Sequence, residues 1–385
     1  MEKYDIVKFN KNDIIIKSGE NPSEYFYILI KGNALSHYSF YKKFKYKYKK
    51  GSIMGLISSI TGEPYFSTIE ADEDSEALKI KIKSIMDMEN EELLNKIYEY
   101  LHFVLETWLS KYYTMLAVNK VDLYNKEDII TMANIYKNNG FIDACNKLCL
   151  KYIELFPENN DIEEVKEFIK DIKFDKNIEH IDNSILKLPK GHCIYTEIHS
   201  ADNIYLIESG KIGAYSVINS NIIIRNIYTN GYIINGYNPR LEYKPLLTTA
   251  IVLEDSIIKV ITKEQLIEMI SRDKSLKINY LKMLSLKINN VIFKIKAIEE
   301  DKLQSKLIII IYSMLKMYSL FNEDTDKLTL AYTIEDIKNI LNINLQNDEI
   351  SEELKNIKYV KFDNALNITI TNIKNYLKEY KDYIR

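Results

Sequence analysis

The feature that most constrains this chain is that it repeats itself. Tyr27 and Gly32 recur as Tyr205 and Gly210, both at one offset. Gly55, Pro64 and Thr68 recur as Gly236, Pro245 and Thr249, all at an offset three positions longer. A repeat at a nearly fixed offset marks one structural unit used twice, and the small drift fits two slightly longer loops in the second copy. A chain of 385 residues has room for both copies and for further segments between and after them.

Each copy reads as short strands followed by a helix. In the first, Ile14-Ile15-Ile16 precedes Gly19 and Pro22, Tyr25 to Ile30 is closed by Lys31-Gly32, and Ser67 to Ala71 is followed by Ala77 to Ile82. Tyr46 to Lys50 alternates aromatic with lysine, the period of a half-buried strand. The second copy opens at Leu188-Pro189-Lys190-Gly191. It continues through Ile204 to Ile207 and Asn221 to Tyr228, and closes with Thr248 to Leu253 and Ser256 to Ile261. Many short strands with glycine turns predict a β-sandwich or roll. Helical spacing takes over at Leu93, Leu94, Ile97, Leu101, Val104, Leu105 and Trp108, and again after Thr262, from Leu266 through Ile298 and on to about Tyr318. The helix over 275–300 is apolar enough to need a partner. A parallel homodimer is expected there, the alternative being packing against the rolls of the same chain.

Between the copies, Asp128 to Asn138, Gly140, and Ile142 to Phe156 before Pro157 predict a helical hairpin, with a third amphipathic helix from Asp161 to Ile172. Ala133-Asn134-Ile135-Tyr136, Gly140, Cys145, Cys149 and Phe156-Pro157 resemble a single tetratricopeptide repeat. One repeat cannot bury a core alone, so it should pack against the rolls. Past Tyr318, Thr333 to Asn342 predicts a helix and Ile350, Leu354 and Ile357 the buried stripe of a second. Tyr359 to Phe362 and Leu366 to Ile370 predict a hairpin, and Ile373 to Tyr380 a closing helix.

The strand, the Tyr-x-Ile-x-x-Gly type turn, the two glycines, the proline and the long helix resemble the cyclic-nucleotide-binding domain of Crp/Fnr regulators and kinase regulatory subunits. The C-terminal order resembles the winged helix-turn-helix of Crp/Fnr regulators. The fold class this implies is α+β: two double-stranded β-helix jelly rolls, a helical linker, a long dimerisation helix and a C-terminal winged helix-turn-helix. The domains would span 1–120, 121–180, 181–300 and 301–385. The function implied is DNA-binding transcription regulation, the alternative being a non-DNA-binding scaffold or protein-interaction module derived from such a regulator.

The resemblance also locates a ligand pocket, at Gly55, Leu56, Pro64, Tyr65, Phe66 and Ser67 in copy one, and at Gly236, Tyr237, Pro245, Leu246, Leu247 and Thr248 in copy two. The family places a Glu after the glycine for the ribose and an Arg after the proline for the phosphate, where its planar fork holds phosphate oxygens. Here those positions hold Leu56 and Tyr65, then Tyr237 and Leu246. Two lost charge-assisted bonds at roughly 1.5–3 kcal/mol each predict that neither copy binds cAMP tightly. No cofactor is expected. Filled, degenerate pockets are the first expectation, and a pocket for a less anionic ligand the second.

The DNA candidates are Asn347, Ser351, Lys355, Lys358, Lys361 and Lys374. Asp348, Glu349, Glu352 and Glu353 on the same helix oppose them, because a phosphate-lined groove repels carboxylates. A net charge of −3 gives no global pull toward nucleic acid or acidic membrane. The basic run Tyr41 to Lys50 suits a strand with tyrosine inward and lysine in water, the alternative being a nucleic-acid surface. No convergent nucleophile–base set, P-loop or zinc motif is present, so an enzyme is not expected. The polar start and the lack of a spanning segment predict a cytoplasmic protein without a membrane partner. Three cysteines, Cys145, Cys149 and Cys193, predict neither a disulfide framework nor a metal site.

Overall fold

The computed structural model describes residues 4–42, 44–85, 91–116, 126–170, 178–198, 203–218, 220–235, 248–322, 325–362 and 367–384. The first copy contains β1 (Asp5–Phe9), β2 (Ile14–Ile16), β3 (Tyr25–Lys31), β4 (Ala34–Tyr38), β5 (Lys45–Tyr48), β6 (Ile53–Met54), α1 (Leu56–Thr61), β7 (Ser67–Ala71) and β8 (Ser75–Lys81). These strands make two antiparallel four-stranded sheets, ordered β1-β8-β3-β6 and β2-β7-β4-β5. The helix α2 (Glu91–Leu116) leads away from this roll to a hairpin, α3 (Lys126–Asn138) and α4 (Ile142–Leu155), and to α5 (Ile162–Lys170).

The second copy contains β9 (Glu179–His180), β10 (Ile185–Leu188), β11 (Cys193–Tyr195), β12 (Ile204–Ile218), β13 (Asn221–Tyr228), β14 (Ile233–Asn235) and β15 (Thr249–Ile261). The two strands expected at 248–253 and 256–261 are one strand. β12 and β15 run unbroken through the roll and bend at irregularities in their shared register, so this copy is one connected seven-stranded sheet. Two helices, α6 (Lys263–Arg272) and α7 (Lys274–Glu299), follow.

The duplication is visible in atomic detail. Gly32 and Gly210 both hold positive φ, +81° and +101°. A Cβ on either would collide with the serine opposite, Ser75 or Ser256. Both serines donate to a nearby carbonyl, Ser75 to Glu73 at 2.7 Å and Ser256 to Glu254 at 2.6 Å. Asp74 accepts from the Lys11 amide at 3.0 Å, and Asp255 from the Lys190 amide at 2.9 Å.

The two long helices, one from each copy, pack on each other in parallel. Tyr98 lies 5.5 Å from Tyr280, ring centroid to centroid, and the Lys294 ammonium lies 5.6 Å from the Tyr112 ring. Both pairs share one sequence separation, close to the repeat offset, so equivalent positions meet across an internal pseudo-two-fold axis. This corrects the expectation of a homodimer through 275–300. Every residue of α7 from Met283 to Ala297 is buried within the one chain, which leaves that stretch no face for a second copy. The partner is α2, with α1 and the helix that follows α7 closing the other sides. Light scattering should therefore read the single-chain mass of 45.2 kDa. A mass of twice that, lost on changing exposed residues outside α7, would show a dimer built elsewhere.

The long helical run expected to about Tyr318 is three helices. Asp273 caps α7 by accepting from the Ser275 and Leu276 amides, and residues 300–302 separate it from α8 (Leu303–Ser319). Then come β16 (Leu328–Thr329), α9 (Ile334–Leu341), α10 (Asn347–Lys355), β17 (Val360–Phe362), β18 (Ile368–Ile370) and α11 (Ile373–Glu379), with the strands in the order β16-β18-β17. A capping box between Thr333 and Asp336 starts α9, and Asn342 in the left-handed region ends it.

The α3–α4 hairpin packs on the second roll. Tyr136 donates to Glu197 at 2.6 Å, the Cys193 amide donates to Asp143 at 2.8 Å, and Asp143 lies 3.2 Å from His192 Nδ1. Cys145 and Cys149 are buried in that hairpin's core. Among the described residues no helix is long and apolar enough to cross a membrane.

Candidate functional site

Gly55, at φ +80°, turns the chain into α1, and the Leu56 side chain that follows is fully buried. It occupies core space among Phe26, Ile28 and Ile53, where a carboxylate would lack a partner. Tyr65 is half-buried beside Gly55, its hydroxyl accepting from the Ser23 amide at 3.0 Å. Phe66 packs edge-on against Phe293 of α7 at 5.4 Å. Ser58 ties the turn together by donating to the Pro64 carbonyl at 3.3 Å.

Gly55, Leu56, Tyr65, Phe66 and Ser67 line a cavity of about 90 Å³, with Tyr38, Phe44, Tyr48, Tyr100, Trp108 and Ile292 around them. Pockets for drug-sized ligands span about 300–1,000 Å³, so the aromatic side chains of this roll fill most of the space a nucleotide would need. Burial pushes the Tyr48 and Tyr100 hydroxyls well above the usual tyrosine range. In β5, Lys45 and Lys47 are exposed while Tyr48 is buried and Tyr46 half-buried. Phe44 stacks on Tyr38 and meets Trp108 edge-on. The basic run is thus a strand edge with its aromatics inward.

The segment Glu63-Pro64 reaches past its own roll. Glu63, 1% exposed, accepts from the Tyr312 hydroxyl at 3.2 Å and pairs with Lys316 at 2.6 Å, both on α8. Thr61 accepts from Asn289 of α7 at 2.9 Å, and Phe293 meets Tyr312 edge-on at 5.8 Å. The turn that carries the first copy's pocket therefore packs directly on the junction between α7 and α8. Glu63 was not singled out from the sequence, because its partners lie far along the chain, beyond the whole second roll, and no local spacing announces them.

In the second copy, Gly236, Tyr237, Pro245, Leu246 and Leu247 lie outside the described residues. Thr248 is buried at the start of β15 and hydrogen-bonds Tyr195. The rest of that interior differs in kind from the first. By the repeat offset, Ser216 stands where copy one has Tyr38, and the Tyr113 hydroxyl lies 3.3 Å from it. Arg225 sits where the β12–β13 register slips, between the pairs Ala214–Asn226 and Tyr215–Ile224. Such a bulge re-aims the extra side chain. Its Nε is buried without a hydrogen-bond partner. Lys287 donates to the Ile233 carbonyl at 2.7 Å and Lys294 to the Arg225 carbonyl. Burial, with Arg225 repelling both, holds each lysine down at about 7. Burial pushes the Glu197 carboxyl up to about 8, against the bonds it accepts from Tyr136 and the Val217 amide.

The C-terminal candidates do not form one surface. Asn347 accepts from Lys338 at 3.1 Å. Ser351 is buried and donates to the Asn347 carbonyl. Lys355 pairs with Glu352 at 3.1 Å and Lys358 with Glu379. Lys361 is exposed on β17. Lys374 lines a cleft with Lys282 and Lys316, between α1, α7, α8 and α11. Asp348, Glu349 and Glu352 are exposed on α10, and Glu349 caps the helix by accepting from the Gln346 amide at 2.9 Å.

Residues 6–92 and 185–273 both match the cyclic nucleotide-binding domain family, so the chain carries two copies of that domain. None of the curated proteins compared matches the sequence. Among solved structures, FixK2 from Bradyrhizobium japonicum aligns at 14% identity and TM-score 0.38, over 51% of this chain and 96% of that one. A CooA variant from Carboxydothermus hydrogenoformans aligns at 16% and 0.38, over 56% and 94%. The structure of cAMP-bound PfPKA-R (141-441) aligns at 12% and 0.24, over 75% and 80%.

Proposed function

We propose that the chain is a transcription regulator of the Crp/Fnr kind that works as a single chain, with α8 to α11 forming one winged helix that docks on one DNA half-site. The observation that carries this reading is the helix–strand–helix–helix–hairpin order of the last segment, joined through α8 to the paired helices of a duplicated cyclic nucleotide-binding unit. In such a motif the second short helix enters the major groove and the hairpin follows the backbone. Glu63, Phe66 and Phe293 supply a packed route from the first roll to α8. The first roll's filled cavity argues against tight cyclic-nucleotide control through that copy.

A second reading is favoured by α10 itself. Its exposed face carries Asp348, Glu349 and Glu352, and Lys355 is already paired. That surface suits a basic partner protein, and a scaffold would use it so.

Fluorescence anisotropy with the promoter fragment of the protein's own gene and a scrambled duplex, at two salt concentrations, separates the two. The regulator reading expects sub-micromolar binding that prefers the promoter. With about three phosphate contacts, the logarithm of affinity should fall with a slope near −3 against the logarithm of salt. Lys361→Gln should shallow that slope by about 1, and Glu352→Gln should tighten binding to both duplexes. No binding at the lower salt transfers the assignment to the scaffold, whose partner a pull-down would then identify.

A further inference from the structure

We infer that the interior of the second roll binds a small, multiply charged phosphate anion, a phosphomonoester or diphosphate, held by Arg225, Lys287 and Lys294. The inference rests on reading that copy as a ligand-holding roll, and it departs from the expectation of two empty, filled-in pockets.

Three basic side chains come together there. Arg225 is half-buried at the strand irregularity, with its Nε enclosed. Lys287 and Lys294, both close enough to feel its charge, stand two helical turns apart on α7, 8% and 1% exposed. Among the described residues no carboxylate pairs with any of the three. Glu197 is engaged elsewhere, by the Tyr136 hydroxyl and the Val217 amide. Each lysine uses one of its three donors on a carbonyl, and the guanidinium Nε uses none. Two lysines buried beside an arginine without a counter-charge give up their protons easily, and an anion arriving among them lets them keep their charge. Side chains able to hydrogen-bond an anion stand around them, Tyr113, Ser216, Tyr195 and Thr248. A planar guanidinium fork with two ammonium groups matches phosphate oxygens. A cyclic diester brings a single negative charge, whereas a phosphomonoester or diphosphate brings two or more, enough to match the arginine and to recharge both lysines.

The charge state of the lysines gives a readout specific to this site. Both are held low in the free protein by burial and by Arg225, with Tyr112, Tyr113, Tyr195 and Tyr228 the other titratable groups around them. An arriving anion restores their charge, so binding at pH 8 must take up protons.

The test is calorimetric titration of the full chain with inorganic phosphate, pyrophosphate, a nucleoside 5′-monophosphate and cAMP, in two buffers of different ionisation enthalpy. The expected result is saturable binding of at least one of the first three, stronger than cAMP, with proton uptake. Arg225→Gln and Lys287→Met should each weaken it about tenfold or more. Should Arg225→Gln melt at lower temperature without ligand, Lys287→Met, which removes a buried amine, supplies the same comparison in a folded protein. Absence of binding by all three, or binding unchanged in both variants, overturns the inference. Neither result depends on DNA, so failure here leaves the regulator reading standing, and the anisotropy experiment can fail while this one succeeds.

Discussion

Gly210→Ala should cost the protein about 2–5 kcal/mol and collapse the second roll well below its normal melting temperature. Two penalties add. At φ +101° any side chain is strained, at roughly 1–2 kcal/mol. The new Cβ would also drive into Ser256, whose Cα would stand 2.7 Å away. Overpacking of that kind costs about 1–3 kcal/mol more. Gly19→Ala is the control. It shares the left-handed backbone, at φ +81°, with no atom within 4 Å of the added methyl, so it should lose only about 1 kcal/mol. Combining Gly210→Ala with Ser256→Gly should recover part of the steric loss and none of the backbone strain. Urea unfolding of the four proteins measures all of this. A Gly210→Ala protein as stable as the Gly19→Ala protein would mean that β12 and β15 do not cross as tightly as the structure has them.

The same glycine shows why the architecture was readable. A position that tolerates no Cβ keeps its glycine in both copies, and so does the turn at Gly55, which makes the duplication visible as spacing. Helix and strand assignments followed from periodicity at 142–155, 221–228 and 334–341, where one face of each element is buried and the other wet. Periodicity failed at 262–318, because α7 is buried nearly all round and α8 carries an unbroken apolar run. A pattern without a polar face says that a helix is covered but not by what. The choice between a second chain and α2 was therefore closed to the sequence, and only the Tyr98–Tyr280 and Tyr112–Lys294 pairings decide it.

The site was less legible than the fold. The family comparison directed attention to the residues after Gly55 and Pro64, and the structure shows what stands in place of the missing Glu and Arg there, a core leucine and a half-buried tyrosine that lines the cavity. It could not direct attention to Arg225, Lys287 and Lys294. Two of these are lost among the many lysines of this chain. The third did carry a signal: only four of the 52 basic residues are arginine, and Arg225 lies inside the apolar strand Asn-Ile-Ile-Ile-Arg-Asn-Ile-Tyr. An arginine in a strand of isoleucines calls for a reason. Its placement, however, depends on a register slip that strand pairing alone reveals.

Lys294→Met should raise stability at pH 7.5, and its advantage should shrink as the pH is raised to 9.5. The folded pKa of the lysine is depressed to about 7 by burial and by Arg225, against about 10.4 in the unfolded chain. Between those values the unfolded state binds the extra proton and the folded state does not, so stability rises with pH through this window. The contribution is complete only above the unfolded value and is lost as pH falls toward 7. Each such group contributes a slope of about 1 kcal/mol per pH unit, and Lys287 adds a second of the same sign. Glu197 acts oppositely, since its raised pKa makes stability fall with pH up to about 8. Buried tyrosines oppose the lysines above roughly pH 10, when the unfolded chain ionises. Cys149, whose thiol is pushed up in the fold, opposes the lysines above about pH 8.5, but it does so equally in both proteins. Between pH 8 and 9.5 the parent should therefore gain roughly 2 kcal/mol more than the methionine variant. It also gives up a bond to the Arg225 carbonyl, at about 1–3 kcal/mol, which limits the gain at pH 7.5 without altering the slope. Urea melts across that interval, in anion-free buffer, measure the difference directly. Parallel curves for the two proteins would mean that Lys294 stays charged in the folded chain.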